Sequence, residues 1–376
     1  MEISHERDRL ARNLGEVVDR FLTVQFTSAG GPSAYLDRPT VESLYQAARQ
    51  AAGEPLSYGA ARRLADRVGP GDVVVVITGF IVPPYMRLEA DGPVGTAALA
   101  RALALGLGAQ PVVVTEAENV KAVESVIRAS GLPLARDLDE FRRVPQKTIV
   151  LPFTTDPLEA PSEAEALLDA LAPAAVVAIE KPGRNREGRY HNGMGIDVTD
   201  LCAKADELVE AARRKGVLTI GFADGGNEIG MGNIAPAISP LIPGGDTVCS
   251  ATEVDYLVVA SSSSWGAYGA ETCLAALLGR PEVLHDEEAE GRILQACALA
   301  GVVDPFSGLA EGWLDGTPAP VSQAIVRILQ HLLRTRLDDW ALARFRAWGR
   351  KREFHEELIR LHRERAGRTP GSSPEA

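Results

Sequence analysis

The stretch "DVVVVITG", Asp72–Gly79, decides the fold. Four valines and an isoleucine follow one another with no polar residue between them. A strand with one wet face alternates apolar and polar residues, whereas a strand covered on both faces runs continuously apolar. Working outward, "GPVGTAALARALALG" (92–106) has helical spacing, "QPVVVTE" (110–116) is a second unbroken strand, and "AENVKAVESVIRASG" (117–131) is a second helix. The same rhythm returns in "KTIVLPF" (147–153), "PSEAEALLDALAP" (161–173), "AAVVAIE" (174–180), "VTDLCAKADELVEAARRKG" (198–216), "VLTIGFADGG" (217–226) and "VDYLVVASSSS" (254–264), with a helix expected over 267–278. Strands alternating with helices predict an α/β fold with a mostly parallel, Rossmann-like sheet flanked by helices.

Both ends of the chain read as helical additions. Leu10, Leu14, Val17, Val18 and Phe21 share one helical stripe, Thr40 opens and Gly53 closes a second helix, and a third covers 57–68. The segment "FTSAGGPSAYLDRP" (26–39) between the first two is loop-like and expected to be mobile. The organisation expected is a helical extension over 1–70, an α/β ligand-binding core over 71–281, C-terminal helices over 282–366 packing on that core, and a disordered tail over 367–376.

Composition narrows the function classes. With 376 residues, 45% of them hydrophobic, the chain can bury a large core. A net charge of −12 argues against a phosphate-backbone partner, so no nucleic acid is expected. No apolar run approaches the roughly 18 residues of a membrane span, and the opening "MEISHERDRLARNLGE" has no apolar core of a signal peptide. Cys202, Cys249, Cys273 and Cys297 form no CxxC pair, which suits buried thiols in the cytoplasm. The expected partner is a small molecule, with self-association into a homo-oligomer left open.

In an open parallel sheet, ligands bind beyond the carboxyl ends of the strands. Four long polar loops fall there: "TGFIVPPYMRLEADGPVGTA" (78–97), "EKPGRNREGRYHNGMGIDVTD" (180–200), "GFADGGNEIGMGNI" (221–234) and "SSSSWGAYGAE" (261–271). A scaffold needs only a few residues per connection, so these loops are expected to converge on one pocket. None matches GxxxxGK[ST] or GxGxxG, and nucleotide binding has no motif support. Asp91 either caps the helix after it or contributes to the site, with Gly92 and Gly95 allowing an anion to approach that helix. Glu116 reads as a first-turn acid rather than a ribose-binding one. Gly225 and Gly226 between Asp224 and Glu228 can point backbone N–H groups at an anion. His191 is a candidate proton-transfer group, although a lone histidine is more often structural. Ser264 can bind a carboxylate or simply cap a helix.

The motifs "TGF" with "ADGPVG", then "IEKPGRNREGRYHNGMGIDV", then "GFADGGNEIGMGN", in that order, resemble the D-glutamate-cyclase-like C-terminal family over roughly residues 70 to 280. The chain departs from the family pattern at Ala90, Ala223 and Ser264. In two-module relatives this family forms the C-terminal half, beside a separate hydro-lyase-like module for which this chain has no room. The resemblance implies a lyase of D-amino acid metabolism that interconverts D-glutamate and 5-oxo-D-proline plus water.

Closing that lactam needs a base for the ammonium and an acid or electrophile for the leaving oxygen. Asp91, Glu180, Asp224 and Glu228 are the expected acid–base carboxylates, with Asp224 the most important. Arg184, with Lys181, is the expected carboxylate clamp. Asn192, Asn227, Gly225, Gly226, Ser264 and His191 complete the expected substrate-binding set. No cofactor is clearly implied and no residue is assigned to a metal, but the same acids suit Mg²⁺ or Mn²⁺ as hard oxygen ligands. The competing readings are a non-catalytic module that binds an amino acid or dicarboxylate, and a metal-dependent hydrolase.

Overall fold

A computed structural model describes residues 3–25, 40–145, 147–242, 244–337 and 352–366. The loop expected over 26–39 and the tail over 367–376 lie outside the described residues. Residues 1–333 form one compact unit, and a second begins at Arg334 and contains the helix Arg352–Ala366.

The first unit is built on strands β1 (Val73–Thr78), β4 (Gln110–Glu116), β5 (Ile149–Phe153), β6 (Ala175–Ile179), β7 (Leu218–Ala223) and β8 (Tyr256–Val259), with the short hairpin β2 (Ile81–Val82) and β3 (Arg87–Leu88) in the loop after β1. The six-stranded sheet has the order β5-β4-β1-β6-β7-β8, and every pair is parallel. The unbroken valine run of β1 is explained by its place between β4 and β6, with Val74, Val75, Val76 and Ile77 fully buried.

Helices α1 (His5–Leu22), α2 (Thr40–Ala52) and α3 (Leu56–Arg67) precede the sheet. Within it come α4 (Pro93–Leu107), α5 (Val120–Ala129), α6 (Leu138–Arg143), α7 (Ala160–Leu171), α8 (Ala205–Arg214), the single turns α9 (Ala235–Ile238) and α10 (Gly245–Val248), and α11 (Ser263–Leu278). Helices α12 (Glu287–Leu299) and α13 (Ala319–Leu337) follow. Helix α4 packs on α5 and α11, and α11 also on α1 and α3, while α7 packs against α8. The stripe on α1 is shifted from the one read in sequence. Ala11, Leu14, Val18 and Leu22 are buried, but Val17 is 36% exposed. Helix α11 starts four residues earlier than expected, so Ser262 is its N-cap and Ser263 and Ser264 open its first turn.

From β1 the chain builds outward through β4 to β5, then returns to lay β6, β7 and β8 on the other side of β1. The order therefore reverses between β1 and β6. Such a reversal leaves a crevice at the strand ends, where α/β proteins bind ligands.

Candidate active site

Two loops meet at that crevice and close each other. The Asp91 carboxylate accepts the backbone N–H groups of Ser263 (2.9 Å) and Ser264 (2.8 Å) and the hydroxyl of Ser262 (2.9 Å), so it caps α11. The Ser264 hydroxyl oxygen in turn accepts the N–H groups of Gly92 (3.1 Å) and Gly95 (3.0 Å) at the start of α4. Each helix thus has its orphan N–H groups satisfied by the other's first turn. Asp91 does not cap α4, and Ser264 is occupied with capping rather than lining the cavity. Gly95 is needed for a different reason than an anion: a Cβ there would come within 2.6 Å of Ser264 Cα.

Above this knot lies a cavity of about 300 Å³ lined by Phe80, Val82, Pro83, Pro84, Tyr85, Glu89, Glu180, Asn192, Gly193, Met194, Asp224, Gly225, Asn227, Glu228, Pro305, Phe306 and Asp315. Three of the four expected loops line it; the serine loop holds Asp91 and Glu180 from behind, Ser263 donating its hydroxyl to Glu180 at 2.5 Å. The cavity has two characters. One side is apolar, from the hairpin after β1 and from Pro305 and Phe306; the other is made of carboxyl groups. Among the described residues no lysine, arginine or histidine lines it.

Asp91, Glu180 and Asp224 each bring one oxygen within 4.8 Å of the others, and all three are buried. Burial, then the charges of Glu228 and Asp91, pushes the Glu180 carboxyl well above the usual range. Burial, then Glu180 and Glu228, does the same to Asp224. Glu89 and Asp315 are raised too, by burial first and then by acidic neighbours, Asp315 for Glu89 and Asp91 for Asp315. Glu89 Oε1, Asn227 Nδ2 and Asp315 Oδ2 are buried with no hydrogen-bond partner among the described residues. Buried polar atoms are rarely left unpaired, so three beside one cavity mark a place built for something else to complete.

Backbone strain falls on the same residues. Among the described residues four non-glycine residues adopt positive φ, and two of them are cavity carboxyls, Glu180 at 46° and Asp315 at 49°. That conformation costs free energy and concentrates at functional sites.

The remaining residues singled out in the sequence have other places. Glu228 accepts the N–H groups of Gly225 and Gly226, both at 2.7 Å, so these glycines offer their amides to Glu228 and not to a ligand anion. The Asn192 amide oxygen accepts Met194 and Ile196 N–H groups and shapes its loop while lining the cavity. His191 is buried, pairs through its backbone with Asp197 and does not line the cavity.

The expected clamp is absent. Arg184 pairs with Glu207 and with Glu210 (2.7 Å) on α8, and its guanidinium does not reach the cavity. Lys181 is fully buried and pairs with Glu116, so Glu116 is an ion-pair partner and not a first-turn surface acid. Glu89, Asp315 and the apolar side of the cavity escaped the sequence reading. Glu89 could have been found two residues before Asp91, the spacing that puts side chains on one face of an extended segment.

All four cysteines are buried free thiols. Among the described residues no helix is long and apolar enough to cross a membrane.

The human mitochondrial D-glutamate cyclase is 32% identical over 170 residues, covering 38% of this chain and 27% of the human protein. The chain therefore spans about a quarter of that relative's length. The family model described as D-glutamate cyclase-like, C-terminal, matches residues 37–330, which takes in the whole sheet and every residue that lines the cavity. By that match the chain belongs to the D-glutamate cyclase-like, C-terminal family.

Proposed function

We propose that this chain is a hydro-lyase of the D-glutamate cyclase type, interconverting D-glutamate and 5-oxo-D-proline plus water. The observation that carries the reading is the trio Asp91, Glu180 and Asp224 at the strand-order reversal, with Glu180 and Asp224 held towards their protonated forms. Family membership and the human relative's name supply the substrate.

In the forward direction the substrate nitrogen attacks the γ-carboxyl carbon. A nitrogen–carbon bond forms, a carbon–oxygen bond breaks, and the oxygen leaves as water, having gained the two protons that the ammonium nitrogen loses. A buried carboxyl held towards its protonated form is suited to donate its proton to that poor leaving group. The carboxylate left behind takes a proton from the ammonium, which frees the amine to attack, and a second turn of the same relay moves the second nitrogen proton to the departing oxygen, so the acid returns to its starting state. The unpartnered amide nitrogen of Asn227, which lines the cavity, supports a role as donor to the γ-carboxyl oxygen. The apolar side excludes water that would compete with the amine.

Charge is the difficulty this reading must meet. A dicarboxylate enters a cavity lined by five carboxyl groups. Protonation offsets part of the repulsion; alternatively, with the carboxyls deprotonated as ligands, a divalent cation would offset it in place of the protons. Asp91, Glu180 and Asp224, with the unpartnered Glu89 oxygen nearby, fit Mg²⁺ or Mn²⁺ in number, spacing and hardness. Such an ion supplies Lewis acidity at the γ-carboxyl. The same trio favours a metal-dependent hydrolase as the second reading. Four free buried thiols suit a reducing compartment, and we place the protein in the cytoplasm.

The test is incubation of the purified chain with D- and L-glutamate and with both 5-oxoprolines, with EDTA or with added Mn²⁺. Interconversion of the D compounds alone is expected, lowered by EDTA and restored by Mn²⁺. No conversion of either D compound with Mn²⁺ present removes the cyclase reading.

A further inference from the structure

Glu180 and Lys181 are neighbours in sequence and point to different places. Glu180 lines the cavity, and Lys181 is fully buried away from it. The turn that separates them is the left-handed conformation of Glu180, unusual for a residue with a Cβ.

The Lys181 ammonium reaches back across the sheet edge. It donates to the carbonyl oxygen of Gly79 at the end of β1 (2.8 Å) and to the Glu116 carboxylate at the end of β4. Glu116 is itself fully engaged: it accepts the Ala203 N–H (2.9 Å), the Thr115 hydroxyl (3.2 Å) and the Asn119 amide (3.1 Å). Gly79 leaves the room for this, since a Cβ there would lie 2.5 Å from Thr115 Oγ1 and 2.6 Å from Glu116 Oε2. The pair therefore ties together the ends of β4, β1 and β6 and the approach to α8. Asp91 and Glu180 come from the β1 and β6 ends of that tie.

Stability alone does not account for it. Taking two charges out of water costs about as much as their attraction returns, and an apolar pair of similar volume often stabilises a fold equally well. An apolar pair lacks the directed hydrogen bonds to Gly79 and Ala203. We propose that the buried Lys181–Glu116 pair is a positioning device that holds Glu180 in its left-handed turn, with its carboxyl beside Asp91 and Asp224. This rests on the reading of that trio as the reaction centre. Lys181 and Glu116 act through Glu180 and touch no substrate.

The experiment compares the parent chain with the double variant Lys181→Met, Glu116→Leu. Thermal midpoint, kcat and KM for D-glutamate with Mn²⁺, and a crystal structure are measured for both. The double variant is expected to melt within a few degrees of the parent, to keep KM, and to lose about 100-fold in kcat through misplacement of Glu180. Its crystal structure should show Glu180 out of the left-handed region and parted from Ser263. A folded double variant with kcat within about threefold of the parent and Glu180 unmoved overturns the proposal. If the double variant does not fold, Glu116→Gln, which keeps volume and removes the charge, is judged by the same readouts. If the parent converts neither D compound, the function reading fails by itself, and the position of Glu180 in the variant structure still decides this inference.

Discussion

Two groups of buried ionisable side chains sit in the same unit, and they are finished to different degrees. Around His285, every partner is present. His285 lies between Glu271 (2.8 Å) and Glu290 (3.3 Å), and Glu290 also accepts the hydroxyls of Tyr268 (2.8 Å) and Ser322 (2.5 Å). Burial by itself pushes the imidazole down, but Glu271 and Glu290 outweigh it and raise the pKa to about 10. The group joins α11, α12 and α13 with one cation among two carboxylates. At the cavity, by contrast, carboxyls face carboxyls, buried polar atoms lack partners and two backbones are strained. A closed network gives up its desolvation cost for rigidity; an open one keeps its cost until a ligand arrives. The first arrangement is read as structure and the second as function.

Substitutions can break this contrast. The largest effect is expected at Asp224. Asp224→Asn keeps the shape and removes the titrating group, so turnover should fall by about 10² to 10⁴. Its melting temperature should hold or rise, because a buried acid disfavoured in its charged form is gone. Calorimetry and kinetics on the same sample check both halves; a fall in stability with turnover kept would assign Asp224 to the turn alone.

His285→Gln should do the reverse. Removing one partner of a buried pair costs roughly 3–5 kcal/mol, read as a lowered denaturant midpoint, while turnover per folded molecule stays near the parent's. A variant with unchanged stability would show that the network is not the lock described.

The pH dependence sharpens the comparison further. The cavity acids Glu89, Glu180, Asp224 and Asp315 have folded pKa values raised above their ordinary ones. Their contribution to stability is complete below the ordinary carboxylate pKa and is lost as pH rises through the raised values. His285, raised from 6.5 to about 10, contributes fully below 6.5 and loses that contribution as pH rises through about 10. Without added metal, the melting temperature should therefore decline from acid to neutral pH. The decline should be shallower in Asp224→Asn, whereas His285→Gln should flatten only the alkaline part. Thermal scans across pH decide whether the two groups titrate separately.

The smallest effect is expected at Arg184. Its ion pairs with Glu207 and Glu210 are partly exposed, the Arg184 side chain being 27% accessible. Arg184→Lys should change stability by about 0–1 kcal/mol and leave KM for D-glutamate unchanged. A raised KM would return Arg184 to the substrate clamp that its sequence suggests.

The sheet was legible because β1, β4 and β6 are buried on both faces, which writes an unbroken apolar run into the sequence. Asp91, Glu180, Asp224, Asn192 and Asn227 were legible because loops at strand ends carry the only polar runs that the scaffold does not require. What stayed hidden depends on contacts between distant segments. Asp315 lies in a stretch read as part of a helical tail, and the pairing of Glu89 with Val303 brings that stretch to the cavity. Arg184 and Lys181 look the same in sequence whether their partner is a substrate or the chain itself. Glu207, Glu210 and Glu116 answer that question only in three dimensions. Ser264 was ambiguous between a ligand and a cap, because its partners Gly92 and Gly95 belong to another helix.

The unfinished carboxyl cluster, and not the finished network around His285, is expected to perform the cyclisation. Oxygen exchange tests it most directly. Each cycle of lactam closure and reopening replaces one γ-carboxyl oxygen of D-glutamate with one from solvent, so D-glutamate incubated with the chain and Mn²⁺ in oxygen-18 water should gain label there and not at the α-carboxylate. The rate should fall by about 10² to 10⁴ in Asp224→Asn and stay at the parent's level, per folded molecule, in His285→Gln. No label in the γ-carboxylate, or the same rate of labelling in Asp224→Asn as in the parent, would contradict the account.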